Sequence, residues 1–152
     1  YVTALNEQGL VYRNLGQFEK AEKIFLEIKM LDSATIGQEN FDYGITLTNL
    51  GMVQLDAGKY VTAEKNLITA LSIFKLNGGT KTIIYARGQT NLARLHQLSG
   101  NPLKAIPLLE QALASFKANL GEKSPEYATA LFNLGVANWK AGKGSVAIKQ
   151  LK

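Results

Sequence analysis

Three asparagines, Asn49, Asn91 and Asn133, recur at intervals of 42 residues along the chain. Each stands in a stretch of helical periodicity, where asparagine is a mediocre helix former, so its return needs a reason. The side-chain amide carries a donor and an acceptor, the same pair that a peptide main chain presents. Two roles fit that chemistry: gripping the backbone of an extended peptide, or tying neighbouring helices together. Glu7 takes the place in the first stretch and breaks the series there. Arg87 and Arg94 lie seven residues apart, two helical turns, and share a face. A guanidinium meets a carboxylate with two prongs, which implies a protein or peptide partner bearing acidic side chains or a C-terminal carboxylate. Solvated arginines are the plainer alternative.

Catalytic chemistry finds little to work with. The chain has one histidine, His96, and no cysteine, so a cysteine–histidine nucleophile or a multi-histidine metal site is excluded within these residues. No G-x-x-x-x-G-K-[ST] or G-x-G-x-x-G run cradles a phosphate. His96 falls in the column of Tyr12, Gln54 and Asn138 and reads as a packing residue. We expect no catalytic residue, no metal and no cofactor. A composition of 46% hydrophobic and 19% charged residues is that of a folded globular chain. The net charge of +5 is scattered, with lysines beside glutamates as in "FEKAEKIF", and no face interleaves basic with aromatic residues, so nucleic acid is not an expected partner. No stretch approaches the roughly 18 apolar residues of a membrane span. The default expectation is a cytoplasmic protein without a membrane partner.

The elements that hold these residues follow from the period. A shift of 42 superposes Tyr1, Tyr43, Tyr85 and Tyr127; Gly9, Gly51, Ala93 and Gly135; and Gly16, Gly58, Gly100 and Gly142. Ala21, Ala63, Ala105 and Ala147 follow, then Phe25, Leu67, Leu109 and Leu151. Each unit reads as two helices separated by a glycine able to adopt the positive φ of a tight turn. Small residues at the two contact points let antiparallel helices approach closely. The tyrosines read as packing residues on the flank of each first helix. Asn101-Pro102 and Ser124-Pro125 read as helix starts, and Gly37, Gly79 and Gly121 as helix ends. Pro107 falls inside a helix, in a column otherwise held by lysines, so its kink should face solvent. The domain is one array of units 1–42, 43–84, 85–126 and 127–152. The last unit is incomplete, which implies a fragment of a longer array whose open C-terminal end would allow self-association.

The pattern G-x-x-[YQHN]-x-x-x-G-x-[FYP]-x-x-A-x-x-x-[FL] resembles the tetratricopeptide repeat. Its 42-residue spacing and the phrase "LGEKSPEYATALFNLG" are similar to the kinesin-light-chain-like subclass. The resemblance implies an all-α fold, a right-handed superhelical α-solenoid of antiparallel helix pairs, whose first helices line a concave groove. It assigns to that groove the asparagine column, Arg87, Arg94, Met52, Leu55, Phe132, Val136 and Trp139. Across the groove columns four basic residues, Arg13, Arg87, Arg94 and Lys140, outnumber the acidic Glu7 and Asp56. In the resembled subclass such asparagines hold an extended peptide by its main chain. The implied function is a non-catalytic scaffold that binds a peptide or partner helix. The alternative is a regulatory or oligomerising segment of a larger multidomain signalling or protease-like enzyme.

Within "ATALFNLGVANWKAGKG", residues 128–144, alignment separates two faces. Leu131, Leu134 and Gly135 occupy columns that are small or apolar in most units. Phe132, Val136 and Trp139 occupy columns that hold Asn6, Thr48 and Thr90, then Arg94, then Arg13 and Gln97. The fold does not require them to be apolar, so they form the expected wall of a pocket beside Asn133.

Overall fold

The computed structural model describes residues 1–144 and Lys149. Among these residues there are seven α-helices and no strand: α1 (Val2–Asn14), α2 (Phe18–Thr35), α3 (Phe41–Asp56), α4 (Tyr60–Gly78), α5 (Ile83–Leu98), α6 (Pro102–Leu120) and α7 (Pro125–Lys140). Phe18, Tyr60 and Pro102 open the second helices, and Phe41, Ile83 and Pro125 open the first helices of later repeats, both series stepping by 42 residues. Ala147 and Leu151, which the period places in a fourth second helix, lie outside the described residues. No described helix is long and apolar enough to cross a membrane. The chain divides into two compact units, Tyr1–Asn77 and Gly78–Lys152.

Local signals explain where the helices start and stop. Asn40, Thr82 and Ser124 share one column and each accepts a main-chain N–H of the following turn, from Asp42, Tyr85 and Tyr127. Gly58 turns the chain between α3 and α4 at φ +76°, and Gly121 ends α6 at φ +83°, backbone states that a side chain would strain. Asn101 precedes α6 as expected but does not cap it with its side chain; its amide donates back to the Ser99 carbonyl at 3.3 Å instead. Pro107 lies inside α6 and is exposed, as its lysine column required. Asn77 and Asn119 latch helix ends to the linkers before the next helix. Asn77 donates to the carbonyls of Glu39 and Ile73, and Asn119 to those of Lys81 and Ser115.

In the first unit α2 packs between α1 and α3 over a core of Ala21, Phe25, Ile28, Leu50 and Val53. Close approach depends on the small column: a Cβ on Gly9 would stand 2.8 Å from the Phe25 ring, and one on Gly51 2.9 Å from Leu67. A polar chain runs through this unit without leaving its members unsatisfied. Asn66 donates to Gln54 at 2.7 Å, Gln54 donates to Glu22 at 3.0 Å, and Lys59 closes the chain on the other Glu22 oxygen. Burial alone would raise the Glu22 carboxyl, but the hydrogen bonds from Lys59 and Gln54 together bring it below its usual range.

In the second unit α6 packs between α5 and α7. Its core is dense in alanine, with Ala86, Ala93, Ala105, Ala112, Ala130 and Ala137 all fully buried around Leu109, Leu113 and Phe116. Tyr43 is buried, Tyr127 packs half-buried against the alanine-rich core, and His96 is buried, so these three have the packing positions expected of them. Interiors packed this closely do not absorb added volume. Ala105→Leu should therefore destabilise the protein by about 1–3 kcal/mol, read as a lowered midpoint in urea, whereas Leu103→Ala on the exposed side of the same helix should leave the midpoint nearly unchanged.

Candidate functional site

Helix α5 buries Ala86, Gln89, Leu92, Ala93 and His96, which turns Arg87, Thr90, Asn91 and Arg94 toward its other side. Helix α7 buries Ala130, Leu134, Ala137 and Asn138, leaving Glu126, Thr129, Asn133 and Val136 together on a less buried face. Between these helices lies a cavity of about 400 Å³ lined by Arg87, Thr90, Asn91, Glu126 and Thr129, with Phe116 of α6 also contributing. Thr90 spends its hydroxyl on the Ala86 carbonyl of its own helix. Gln97 donates to the Asn133 main-chain oxygen at 2.9 Å and ties α5 to α7.

The asparagine column divides between its two roles. Asn49 donates to the Asn6 side chain at 2.9 Å and so links α3 to α1. Asn91 and Asn133 are half-buried, and among the described residues their side-chain amides make no hydrogen bond. The arginines are more committed than their spacing conveys. Arg87 donates to Glu126 at 2.6 Å, Arg13 donates to Asp56 at 2.6 Å, and Arg94 is exposed with an interaction of its own. Glu126 was not among the groove residues read from the sequence. Its position just after Pro125 in the first turn of α7, where acids are favoured, was the available signal.

Phe132 is 60% exposed and Trp139 66% exposed, with half-buried Val136 between them on the same side of α7. This is the apolar shelf that alignment of the repeats predicts. Met52 and Leu55 are different: they are 8% and 2% exposed, buried among core residues, and so offer no ligand surface. They belong to an unbroken buried run over residues 50–55, which covers the whole circumference of α3, so this part of the helix has no open face.

The first unit builds a cavity in the same register. Thr3, Asn6, Asp32, Asp42 and Ile45 line a space of about 460 Å³, and a shift of 84 residues carries them onto Arg87, Thr90, Phe116, Glu126 and Thr129. The site was therefore made twice with different side chains. The sequence period held that equivalence, and the column of Asp32, Phe74 and Phe116 was the available signal that Asp32 is buried.

The sequence profile of the tetratricopeptide repeat matches residues 1–76, 42–118 and 84–152. No curated protein matches the sequence. Among solved structures, the nearly identical TPR-like repeats of a protein described as a kinesin light chain from Podosopora anserina superpose with a TM-score of 0.91 at 20% identity, over 98% of this chain and 71% of that one. BtubC (BKLC) from P. vanneervenii superposes with a TM-score of 0.90 at 21% identity, over 99% of this chain and 60% of that one. These likenesses show the fold, an all-α tetratricopeptide repeat solenoid.

The Arg87–Glu126 pair carries a testable pH dependence. The hydrogen bond from Arg87 holds the Glu126 carboxyl below its ordinary value of 4.5, helped by its own backbone amide. A carboxyl depressed on folding adds stability that is present above its unfolded value and lost as pH falls through the lower folded one. Titration of the Glu126 carboxyl by NMR should give a midpoint below 4.5 in the wild type and one moved back toward 4.5 in Arg87→Ala. Because the pair is solvent-accessible, the shift should shrink in high salt.

Proposed function

The chain belongs to the tetratricopeptide repeat family, whose arrays are protein-interaction scaffolds, and from that premise we propose that the α5–α7 face holds an extended segment of a partner protein without catalysing any reaction. The carrying observation is that the Asn91 and Asn133 amides make no hydrogen bond among the described residues while lying beside the cavity and the Phe132–Trp139 shelf. A main chain in extended form presents alternating N–H and C=O groups, and two such amides satisfy one of each. The exposed rings give an apolar side chain of the ligand something to cover, the usual source of strong contacts at interfaces.

The charge of the preferred segment follows from the ion pair. An acidic side chain or terminal carboxylate would have to take Arg87 from Glu126, so its gain is the difference between two carboxylates on one guanidinium. Recognition therefore falls chiefly to the asparagines, which hold the backbone, and to Phe132, Val136 and Trp139, which cover an apolar side chain. Arg87 and Arg94 are secondary.

A peptide selected from a random phage-displayed library against the full chain provides the probe. Asn91→Ala with Asn133→Ala should weaken it roughly tenfold to thirtyfold, about 1 kcal/mol for each lost hydrogen bond, with the melting temperature nearly unchanged. Asn49→Ala should do the reverse, lowering the melting temperature while sparing affinity. A double mutant that loses stability and keeps its affinity would return Asn91 and Asn133 to a structural role.

A further inference from the structure

The first-unit cavity differs from its second-unit counterpart at the floor. Where Phe74 and Phe116 are 1% and 2% exposed, the same column carries Asp32, itself 6% exposed. The fold accepts a phenyl ring at this place in two repeats, so the acid is a departure from what packing asks for. Thr46 donates to Asp32 Oδ2 at 2.6 Å, and among the described residues Asp32 Oδ1 makes no hydrogen bond and the carboxylate has no ion-pair partner. Thr46 is itself a departure, since its column holds Gly88 and Ala130. Asp32 also lies near the end of α2, where the negative pole of the helix disfavours an acid and the last turn contains no basic residue. A carboxylate that lines a cavity in such a place has a cation as its natural complement.

The cavity walls state what the cation should look like. Asp42 stands exposed on the lining, Ile28 and Ile45 supply apolar wall, and no lysine or arginine lines the space. Apolar walls leading to a carboxylate suit a charged head carried on a methylene stem. The Tyr43 phenol is pushed above its usual range first by burial and then by the Asp32 charge. In the second unit the equivalent floor is Phe116 under the Arg87–Glu126 pair, which offers a cation nothing comparable.

We propose that the first-unit cavity is a subsite for a lysine or arginine side chain of a bound peptide, with Asp32 as its counter-charge. The subsite rests on the reading of this chain as a peptide binder and adds a requirement for a basic residue. It also separates the two cavities chemically, one anionic and one apolar with a neutralised rim.

The test uses the full chain and peptides of about nine residues selected on it from a random phage-displayed library, titrated by calorimetry. Wild-type binders should share a lysine or arginine at one position, and its replacement by norleucine should weaken binding at least about tenfold. In Asp32→Asn and Asp32→Phe the same replacement should cost less than about twofold, and Asp32→Phe should melt no lower than wild type. Binders without a shared basic residue, or with one whose replacement costs as much in the variants, overturn the subsite and leave peptide binding on α5 and α7 standing. If no peptide can be selected, both readings fall. Should Asp32→Phe not fold, Asp32→Asn decides, and an unchanged affinity for the basic peptide overturns the subsite.

Discussion

A Cβ added to Gly51 would stand 2.9 Å from Leu67 Cγ and 3.3 Å from the Ala63 carbonyl, so α3 and α4 lie as close as two helix backbones with one large side chain between them allow. Gly9 stands in the same relation to Phe25, and in the second unit Ala93 and Leu109 share one core. This contact, a small residue facing a large one sixteen positions later, sets how each helix pair is rotated. Once it is set, the faces turned inward are fixed by geometry, and the sequence there has little freedom. The remaining face of α5 and of α7 is not so constrained and can be spent on recognition.

That freedom is visible in how equivalent positions have diverged. Asn49 uses its amide on Asn6, because Asn6 supplies an acceptor across the helix gap; the corresponding residues Thr48 and Thr90 turn their hydroxyls onto their own helices at Gly44 and Ala86. With Thr90 turned back on itself, Asn133, which stands to Thr90 as Asn49 stands to Asn6, gains no such partner. Identical residues at identical phase thus differ in what they do, and the difference comes from the residue one place earlier in the preceding repeat. Charge behaves similarly. Arg87 meets Glu126, whereas Thr3 and Asp42, at the equivalent places, make no such pair.

Much of this is legible in the amino-acid sequence. The helix pairs, the turn glycines, the Ser124 cap and the exposed Phe132–Trp139 shelf follow from a period so regular that a column's composition reports its environment. The failures fall where that average misleads. Met52 and Leu55 share columns with Arg94 and Gln97, yet α3 is buried on every side over residues 50–55, so the column average does not report their environment. Asn101 has the composition of a cap, but its amide found Ser99 first. The commitment of Arg13 and Arg87 to Asp56 and Glu126 was hidden because the partners lie 43 and 39 residues away, across repeats. Spacing within one helix cannot register such pairs.

Repetition also changes what a buried polar residue means. In a chain with no repeats, a buried aspartate bonded to a threonine can be dismissed as one more internal hydrogen bond. Here the same place in two other repeats records the alternative, a buried phenylalanine, and the comparison isolates the acid as an added feature of one repeat. In the Asn66–Gln54–Glu22–Lys59 chain of the same unit each group is bonded and the one carboxylate is paired. Asp32 is held to a lower standard, with one hydroxyl donor and no cation. An acid that stands where two other repeats carry a phenyl ring, lines a cavity and meets no cation has the profile of one whose partner comes from outside.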